Sequence, residues 1–221
     1  MDWQALSLSL RLSAWTVAVL LPIGILIARA LAFREFRGKS LIEALIAFPL
    51  VLPPTVLGYY LLVSLGGASA LGRFHEWAFG GTLVFSFEGL LIASIIANLP
   101  FAVQPMQLSF GAIPRDVREA AWCSGLSRRT TFWRIELPLA WPGLLAAFAL
   151  TFAHTLGEFG VVLMVGGNIP GETRTLSVAI YDRVQAFDSQ AADIMAAVLL
   201  LLAMTAIAIV YGLARRRPNH G

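Results

Sequence analysis

The sequence predicts an all-α integral membrane protein with about five membrane-spanning helices. Of its 221 residues, 58% are hydrophobic and only 13% are charged, and the mean hydropathy is +0.76. Soluble domains average about half apolar and about a quarter charged residues. Five apolar stretches are long enough, or nearly so, to cross the hydrocarbon layer of a bilayer, which needs roughly 20 helical residues.

The five predicted spans lie in one transmembrane domain that covers residues 1–221. Their approximate bounds are 8–32, 41–66, 88–111, 138–165 and 192–214. We expect the first stretch to be a retained span and not a cleaved signal peptide. Asp2 precedes it, and no small-x-small cleavage site follows before Arg34.

The basic residues predict the orientation of these spans. Twelve of the 16 lie on one side, at Arg29, Arg34, Arg37, Lys39, Arg115, Arg118, Arg128, Arg129, Arg134, Arg215, Arg216 and Arg217. The other four are Arg11, Arg73, Arg174 and Arg183. Because basic loops stay in the cytoplasm, the N-terminus is expected outside and the C-terminus inside. The net charge of +3 then reflects topology, and no basic stripe indicates nucleic-acid binding.

Prolines interrupt the second and third predicted spans. The second span has Pro49, Pro53 and Pro54, and the third has Asn98–Pro100 followed by Pro105. Proline in a membrane helix frees carbonyl groups that need partners in other helices or in a wet cavity. The sequence therefore predicts bent or broken helices at both places. They serve either as packing kinks or as the lining of a translocation path, which broken helices often form.

Residues 112–137, here named the EAA segment, form a charged island between the third and fourth spans. Pro114 suits a position at the start of a helix, and residues 115–124 then form nearly three turns. Gly125 suits the left-handed stop that ends a helix. Ser127 is expected to cap a second short helix before Pro138 returns the chain to the membrane.

One flank of the predicted helix is almost bare of side chains. Ala120 and Ala121 lie there, with Val117 one turn before Ala121. Such a helix can enter a groove on another protein. Glu119 is expected to pair with a cation at the rim of that groove or with a backbone N–H. The alternative is an ordinary connecting loop that carries an amphipathic helix with a glycine stop.

The spacing of this segment resembles the cytoplasmic EAA loop of permease subunits in ABC importers. Glu119-Ala120-Ala121 is followed by three residues, Gly125, nine residues and then Ile135-x-Leu137-Pro138. In that family, the loop docks the membrane subunit on its ATPase. The resemblance implies docking roles for Glu119, Ala120, Ala121, Gly125, Ile135, Leu137 and Pro138.

The region between the fourth and fifth spans carries a second pair of motifs. Leu156–Gly160 reads LGEFG, and Gly166–Leu176 reads GGNIPGETRTL. Pro170 and Gly171 fit the central positions of a type II turn. A helical spacing follows that predicts an amphipathic helix at the outer surface, with apolar positions Leu176, Ile180, Val184 and Phe187.

These motifs resemble the molybdate permease subunit family, and more loosely the sulfate permeases. The run PLVLPPTVLGYY at residues 49–60 is similar to the same family. The resemblance extends from about residue 8 to residue 190 and implies a type I ABC importer permease-like fold. It also implies a homodimer in the bacterial cytoplasmic membrane, two copies of an ATPase, and a periplasmic or lipid-tethered molybdate-binding protein.

Prolines and polar side chains at the interrupted helices are the candidates for a pathway or gate. The candidate residues are Pro53, Pro54, Thr55, Asn98, Thr155 and Glu158. Hydroxyl, amide and backbone groups can bind an oxyanion weakly enough to release it. A bare carboxylate would repel a dianion, so Glu158 is expected to fix a helix end or pair with a basic residue. In the alternative, Glu158 tunes an anion path by repulsion.

The sequence offers no catalytic or metal-binding set. Gly38-Lys39-Ser40 could end a phosphate-binding loop, but Phe33 stands where that motif requires glycine. ATP is therefore expected to be used by a separate subunit, and no cofactor or metal is assigned to this chain. Cys123 is the only cysteine and is expected to be a small buried apolar residue. Near alternatives are permeases for sulfate, thiosulfate or tungstate, and a distant one is a membrane-embedded enzyme.

Overall fold

The computed structural model describes residues 1–215 as a bundle of helices, and these residues contain no β-strand. Residues 216–221, including Arg216 and Arg217 of the orientation argument, lie outside the described part. The α-helices are α1 Trp3–Phe33, α2 Lys39–Val51, α3 Pro54–Leu65, α4 Ala70–Phe79, α5 Phe87–Gly111, α6 Arg115–Cys123, α7 Arg128–Thr131, α8 Leu137–Leu139, α9 Trp141–Gly157, α10 Gly160–Gly166, α11 Leu176–Gln185 and α12 Ser189–Arg215. A π-helical turn, Phe132–Glu136, joins α7 to α8. The predicted all-helical class is confirmed.

Within residues 1–215, three helices are long and apolar enough to cross a membrane by themselves. They are Trp3–Phe33, Phe87–Gly111 and the Ser189–Val210 part of α12. Two bent pairs, Lys39–Val51 with Pro54–Leu65 and Arg128–Leu139 with Trp141–Gly157, bring the total to five if each pair is one span. These apolar helices make the chain a multi-pass membrane protein.

Helix α5 is the centre of the bundle and packs against both α1 and α9, which also contact each other. The side chains of Leu20, Met106 and Phe110 are fully buried between them. Gly143 of α9 lies so close to α5 that an added Cβ would stand 2.6 Å from the Pro105 carbonyl oxygen. Small residues allow membrane helices to approach in this way and gain van der Waals contact.

The predicted interruption of the second span is confirmed. Helix α2 ends at Val51, α3 begins at Pro54, and the two axes differ by 111°. The third span is not broken at its prolines, because α5 runs as one helix through Pro100 and Pro105. Both prolines lie on a helix that is held between α1 and α9, and this packing keeps it continuous.

The fourth predicted span, 138–165, is also divided. Helix α9 ends at Gly157, Glu158 and Phe159 form a break, and α10 begins at Gly160. A second bend of 66° separates the Arg128–Leu139 helical run from α9. The break at Glu158 and Phe159 was not predicted, because both residues have ordinary helix propensities and no proline marks it. The 66° bend lies close to Pro138, where the chain was expected to return to the membrane.

Loop 167–175 is tied to the N-terminus by polar contacts. The Arg174 Nε donates to Asn168 Oδ1 at 2.6 Å, and Asn168 Nδ2 donates to Asp182 Oδ2 at 2.7 Å. Arg174 also lies 3.9 Å from Asp2, the residue that caps α1. Gly171 has a φ of +81°, which fits the predicted type II turn. The loop therefore holds the start of α1 against α11.

The predicted amphipathic helix forms as α11, but its apolar stripe is only partly buried. Leu176 is fully buried, whereas Val184 is 57% exposed and Phe187 is 94% exposed. The helix ends at Gln185, so Phe187 lies beyond it with a φ of +57°. The buried face instead includes Val178 and Ala179, which the spacing argument did not select.

The two broken spans contact each other through glycine. An added Cβ on Gly160 would stand 2.8 Å from Pro54 Cβ, and one on Gly58 would stand 2.8 Å from Met164 Cβ. Distances below about 3 Å are not sustained between carbon atoms, so neither position accepts a side chain without movement of the backbone. The motifs at 49–60 and 157–160 thus form one packed unit.

We predict that Gly160→Ala destabilises this unit, because the new methyl group collides with the rigid ring of Pro54. Overpacking of this kind costs about 1–3 kcal/mol. Thermal unfolding of the purified subunit in detergent, followed by size-exclusion chromatography, measures the effect. Gly111→Ala is the matched control, since its added Cβ meets no atom within 4 Å. Equal melting temperatures for both variants would contradict the close-packing argument.

Candidate functional site

The EAA segment folds as a helix, a glycine turn and a second short helix. Helix α6 ends at Cys123, and Gly125 follows with a φ of +82°. The Leu126 N–H donates to the Ala121 carbonyl and the Gly125 N–H to the Trp122 carbonyl. Such paired bonds around a left-handed residue end a helix, and glycine adopts that conformation without a Cβ penalty. The predicted stop at Gly125 is confirmed.

Ser127 caps the second helix as predicted. Its Oγ accepts a hydrogen bond from the Thr130 N–H at 3.1 Å. The helical run then continues through the π-helical turn, which contains Ile135, and into α8, which contains Leu137 and Pro138. The bend into α9 comes at Ala140, just after Pro138, close to where the chain was expected to return to the membrane.

The exposed face of α6 differs from the predicted one. Ala121 is only 5% exposed, so it packs inside the chain and is not free for a partner. Ala120, Asp116, Glu119 and Cys123 are exposed instead. The expectation that Cys123 is buried is therefore wrong. The prediction for Ala121 failed because Ala120 and Ala121 were assigned to one flank, while a 100° step along the helix separates them.

Glu119 has a partner within its own helix. Its Oε1 accepts a hydrogen bond from Arg115 Nε at 2.5 Å, four residues earlier. Both side chains are largely exposed, and exposed pairs of this spacing contribute only about 0.3–0.5 kcal/mol. The pair is therefore weak enough to exchange for contacts with another protein.

Glu136 is a functional candidate that the sequence argument missed. Its side chain is fully buried, and its two oxygens accept hydrogen bonds from Arg29 Nε at 2.5 Å and Arg118 Nε at 3.1 Å. The Arg118 guanidinium also lies 3.6 Å from the centre of the Phe33 ring, and that of Arg29 lies 5.3 Å from the Phe132 ring. Arginine stacks on aromatic rings in this way. The cluster joins α1, α6 and the π-helical turn.

A signal for Glu136 was present in the sequence. A carboxylate next to an apolar span is expensive to bury without a cation. Arg118 lies 18 residues before it, on the same charged island. The role of Arg29 could not be inferred, because it lies 107 residues away and was counted only as a topology marker.

Two cavities meet at the breaks of the second and fourth spans. One has a volume of about 550 Å³ and includes Thr55 in its lining, and the other has a volume of about 200 Å³ and includes Phe101. Pro54, His154 and Glu158 line both cavities. The structure thus brings together three of the predicted candidates, Pro54, Thr55 and Glu158.

A polar chain crosses from α5 to the break between α9 and α10. The Asn98 amide nitrogen donates to the Ser94 carbonyl, so its oxygen is free to accept. His154 Nδ1 lies 3.0 Å from that oxygen and 3.3 Å from Glu158 Oε2. The Phe101 ring stacks on the His154 ring at 4.2 Å. His154 is therefore the link between Asn98 and Glu158.

The remaining candidates lie beside the cavities. Pro53 is exposed in the bend before α3. Thr155 is buried and its hydroxyl donates to the Thr151 carbonyl at 2.7 Å, so that hydroxyl has a partner inside the helix. Glu158 caps the end of α9, and its carbonyl accepts a hydrogen bond from Ser177 Oγ at 2.6 Å. In residues 1–215, no group of three or more His, Cys, Asp or Glu side chains could hold a metal ion.

Comparison with known proteins places this geometry in a family. A family model described as the binding-protein-dependent transport system inner membrane component matches residues 21–220. Over 210 residues the chain is 44% identical to the molybdenum transport system permease protein ModB of Azotobacter vinelandii, covering 95% of this chain and 93% of that protein. Over 216 residues it is 38% identical to ModB of Escherichia coli strain K12, covering 97% and 94%.

The fold is shared with a solved transporter. A bacterial ABC transporter involved in the import of the acidic polysaccharide alginate has a chain that superposes with a TM-score of 0.73. That match has 18% sequence identity and covers 96% of this chain and 78% of the other. From the family match, the relatives and this common fold, we conclude that the chain belongs to the binding-protein-dependent transport system inner membrane components.

Proposed function

We propose that this protein is the permease subunit of an ATP-driven importer that moves molybdate across the bacterial cytoplasmic membrane. The observation that carries the proposal is the 44% identity, over nearly the full length of both chains, to a molybdenum transport system permease. The presence of an exposed helix at the EAA motif supports it. A homodimer with two ATPase copies and a periplasmic or lipid-tethered binding protein completes the assembly.

The exposed face of α6 is the proposed docking surface for the ATPase. Ala120 leaves room for a groove, and Glu119 can exchange its weak pair with Arg115 for a basic residue on the partner. Cytoplasmic placement of this face follows from the arginine distribution, with the N-terminus outside. ATP is bound and hydrolysed on the partner, and this chain carries no cofactor in the proposal.

Motion of the docking helix would reach the spans through Glu136. Arg118 of α6 and Arg29 of α1 bind the same buried carboxylate, so α6 cannot shift without moving one of them. The π-helical turn that holds Glu136 leads directly into α8 and α9. Closure of the ATPases is thereby coupled to the helices that line the cavities.

The break at Glu158 is the proposed gate region. Two unit charges 4 Å apart repel by about 4 kcal/mol at an effective dielectric constant of 20, and a dianion would feel roughly twice that. An oxyanion therefore cannot pass an unpaired carboxylate at contact distance. Glu158 is proposed to anchor the helix break through His154, while Thr55 offers a neutral hydroxyl to the passing anion.

Sulfate, thiosulfate and tungstate remain the near alternatives, since tetrahedral dianions differ mainly in size. Selectivity among them is proposed to reside in the binding protein. A membrane-embedded enzyme is the distant alternative, and it would require a convergent set of catalytic side chains.

We predict ATP-dependent molybdate uptake by proteoliposomes that contain this subunit, its ATPase and its binding protein. Tungstate should compete, because it has the same charge and nearly the same size, whereas excess sulfate should compete weakly. Vesicles without the binding protein are the control and should show little uptake. Preferential uptake of sulfate would replace the molybdate assignment with the sulfate alternative.

We predict that Ala120→Trp abolishes capture of the ATPase but leaves membrane insertion intact. The side chain is exposed in the isolated subunit, so the indole has space there, but it would fill the room that a partner groove requires. Co-purification of the tagged ATPase measures the loss. Ser40→Trp is the control, an exposed helical position on the same proposed side. Wild-type capture by the Ala120 variant would refute the groove model.

We predict that Glu158→Gln transports molybdate at nearly the wild-type rate, since the amide keeps the shape and hydrogen-bonding capacity. Glu158→Ala should instead lower the yield of assembled complex, because it removes the buried side chain that links the α9–α10 break to His154, and a hydrogen bond of this kind contributes about 0.5–1.5 kcal/mol. Uptake and complex yield are measured for both variants, with Glu172→Gln as an exposed-carboxylate control. A glutamine variant that assembles fully but changes rate or oxyanion preference would show that the charge tunes the path.

A further inference from the structure

A cavity lined by arginines lies where α1 meets the EAA segment. Its volume is about 450 Å³, and its arginines are Arg29, Arg34, Arg118, Arg128 and Arg129. Leu26 and the rings of Phe33, Trp122 and Phe132 complete its lining. We name it the arginine cavity. Its size falls within the range of about 300–1,000 Å³ that is common for ligand pockets.

The arginine cavity carries an excess of positive charge. Glu136 neutralises one of the five guanidinium groups while it binds Arg29 and Arg118. Five positive charges and one negative charge leave a net charge of +4. Arg34, Arg128 and Arg129 make no ion pair with any described residue of the chain. Such a site favours an anionic ligand.

The cavity opens beside an apolar surface. Leu26 lies in its lining and is 67% exposed, and Ile23, one turn earlier on α1, is 42% exposed. Helix α1 is one of the three helices that can span a membrane alone. The cavity therefore lies near the end of a candidate span, where we expect the headgroup region of the membrane.

The cavity also lies on the opposite side of α6 from the proposed docking face. Arg118 and Trp122 of α6 line it, whereas Asp116, Glu119 and Ala120 are exposed on the other face. This position favours a ligand that arrives from the membrane.

We propose that the arginine cavity binds the phosphate headgroup of an anionic phospholipid such as phosphatidylglycerol. Guanidinium groups bind phosphate oxygens in a bidentate manner, and aromatic rings hold the guanidinium planes in place. Basic pockets at the ends of membrane helices recognise anionic headgroups through these contacts. An acyl chain would leave along Leu26 and Ile23. The bound lipid would connect α1 with α6 and so stiffen the element that docks the ATPase.

The test uses the full-length permease in complex with its ATPase, reconstituted in nanodiscs of phosphatidylcholine with or without phosphatidylglycerol. Native mass spectrometry measures how much phosphatidylglycerol remains bound to the released complex. The Arg128→Gln, Arg129→Gln variant should bind at least about tenfold more weakly, since each arginine near an anionic headgroup contributes substantially. The control is Arg37→Gln, Arg134→Gln, which removes two exposed arginines that do not line the cavity.

Equal loss of lipid in the cavity variant and the control would overturn the proposal, since the binding would then be general attraction to surface charge. If the double variant is not recovered as a complex, Arg34→Gln against Arg37→Gln gives the same comparison with single changes.

Displacement of the lipid by excess inorganic phosphate or molybdate would make the cavity a site for soluble anions. Release of lipid from the isolated permease on addition of the ATPase would make it a docking surface. Either result would overturn the lipid assignment.

Discussion

A carboxylate with no exposed surface, Glu136, holds three parts of the chain together. It accepts hydrogen bonds from Arg29 of α1 and Arg118 of α6, and its own backbone forms the π-helical turn that leads to α9. Losing both arginines would leave this carboxylate buried without a cation, and an uncompensated buried charge costs about 3–5 kcal/mol. That is a large share of a typical unfolding free energy of about 5–15 kcal/mol. The placement of the EAA segment on the spans depends on this contact.

The two broken spans form the second constraint on the structure. Gly58 and Gly160 allow α3 and α10 to touch at backbone distance, and Pro54 fits against the bare face of Gly160. This contact fixes the position of the Glu158 break, and His154 links the break to Asn98 of the central helix α5. The cavities lie between elements that are rigid locally but joined by bends. Such an arrangement suits a site that opens by movement of whole helices.

Local features of the fold could be predicted from the sequence. Gly125, Ser127 and the proline-induced bend before Pro54 each follow from backbone chemistry that acts over a few residues. The long-range features could not be predicted in this way. Continuity of α5 through Pro100 and Pro105 depends on α1 and α9 packing around it, and the partners of Glu136 are separated from it by up to 107 residues. The orientation of Ala121 also depended on which face of α6 the rest of the chain covers.

The exposed position of Cys123 makes the sole thiol of the sequence a natural attachment point on α6. A spin label or fluorophore placed there needs no prior removal of other cysteines, so the native sequence can be studied directly. Cys123 lies on the same face as Ala120, one turn further along the helix. A probe at this position would report on the surroundings of that face through the transport cycle, in a protein whose chemistry is otherwise unmodified.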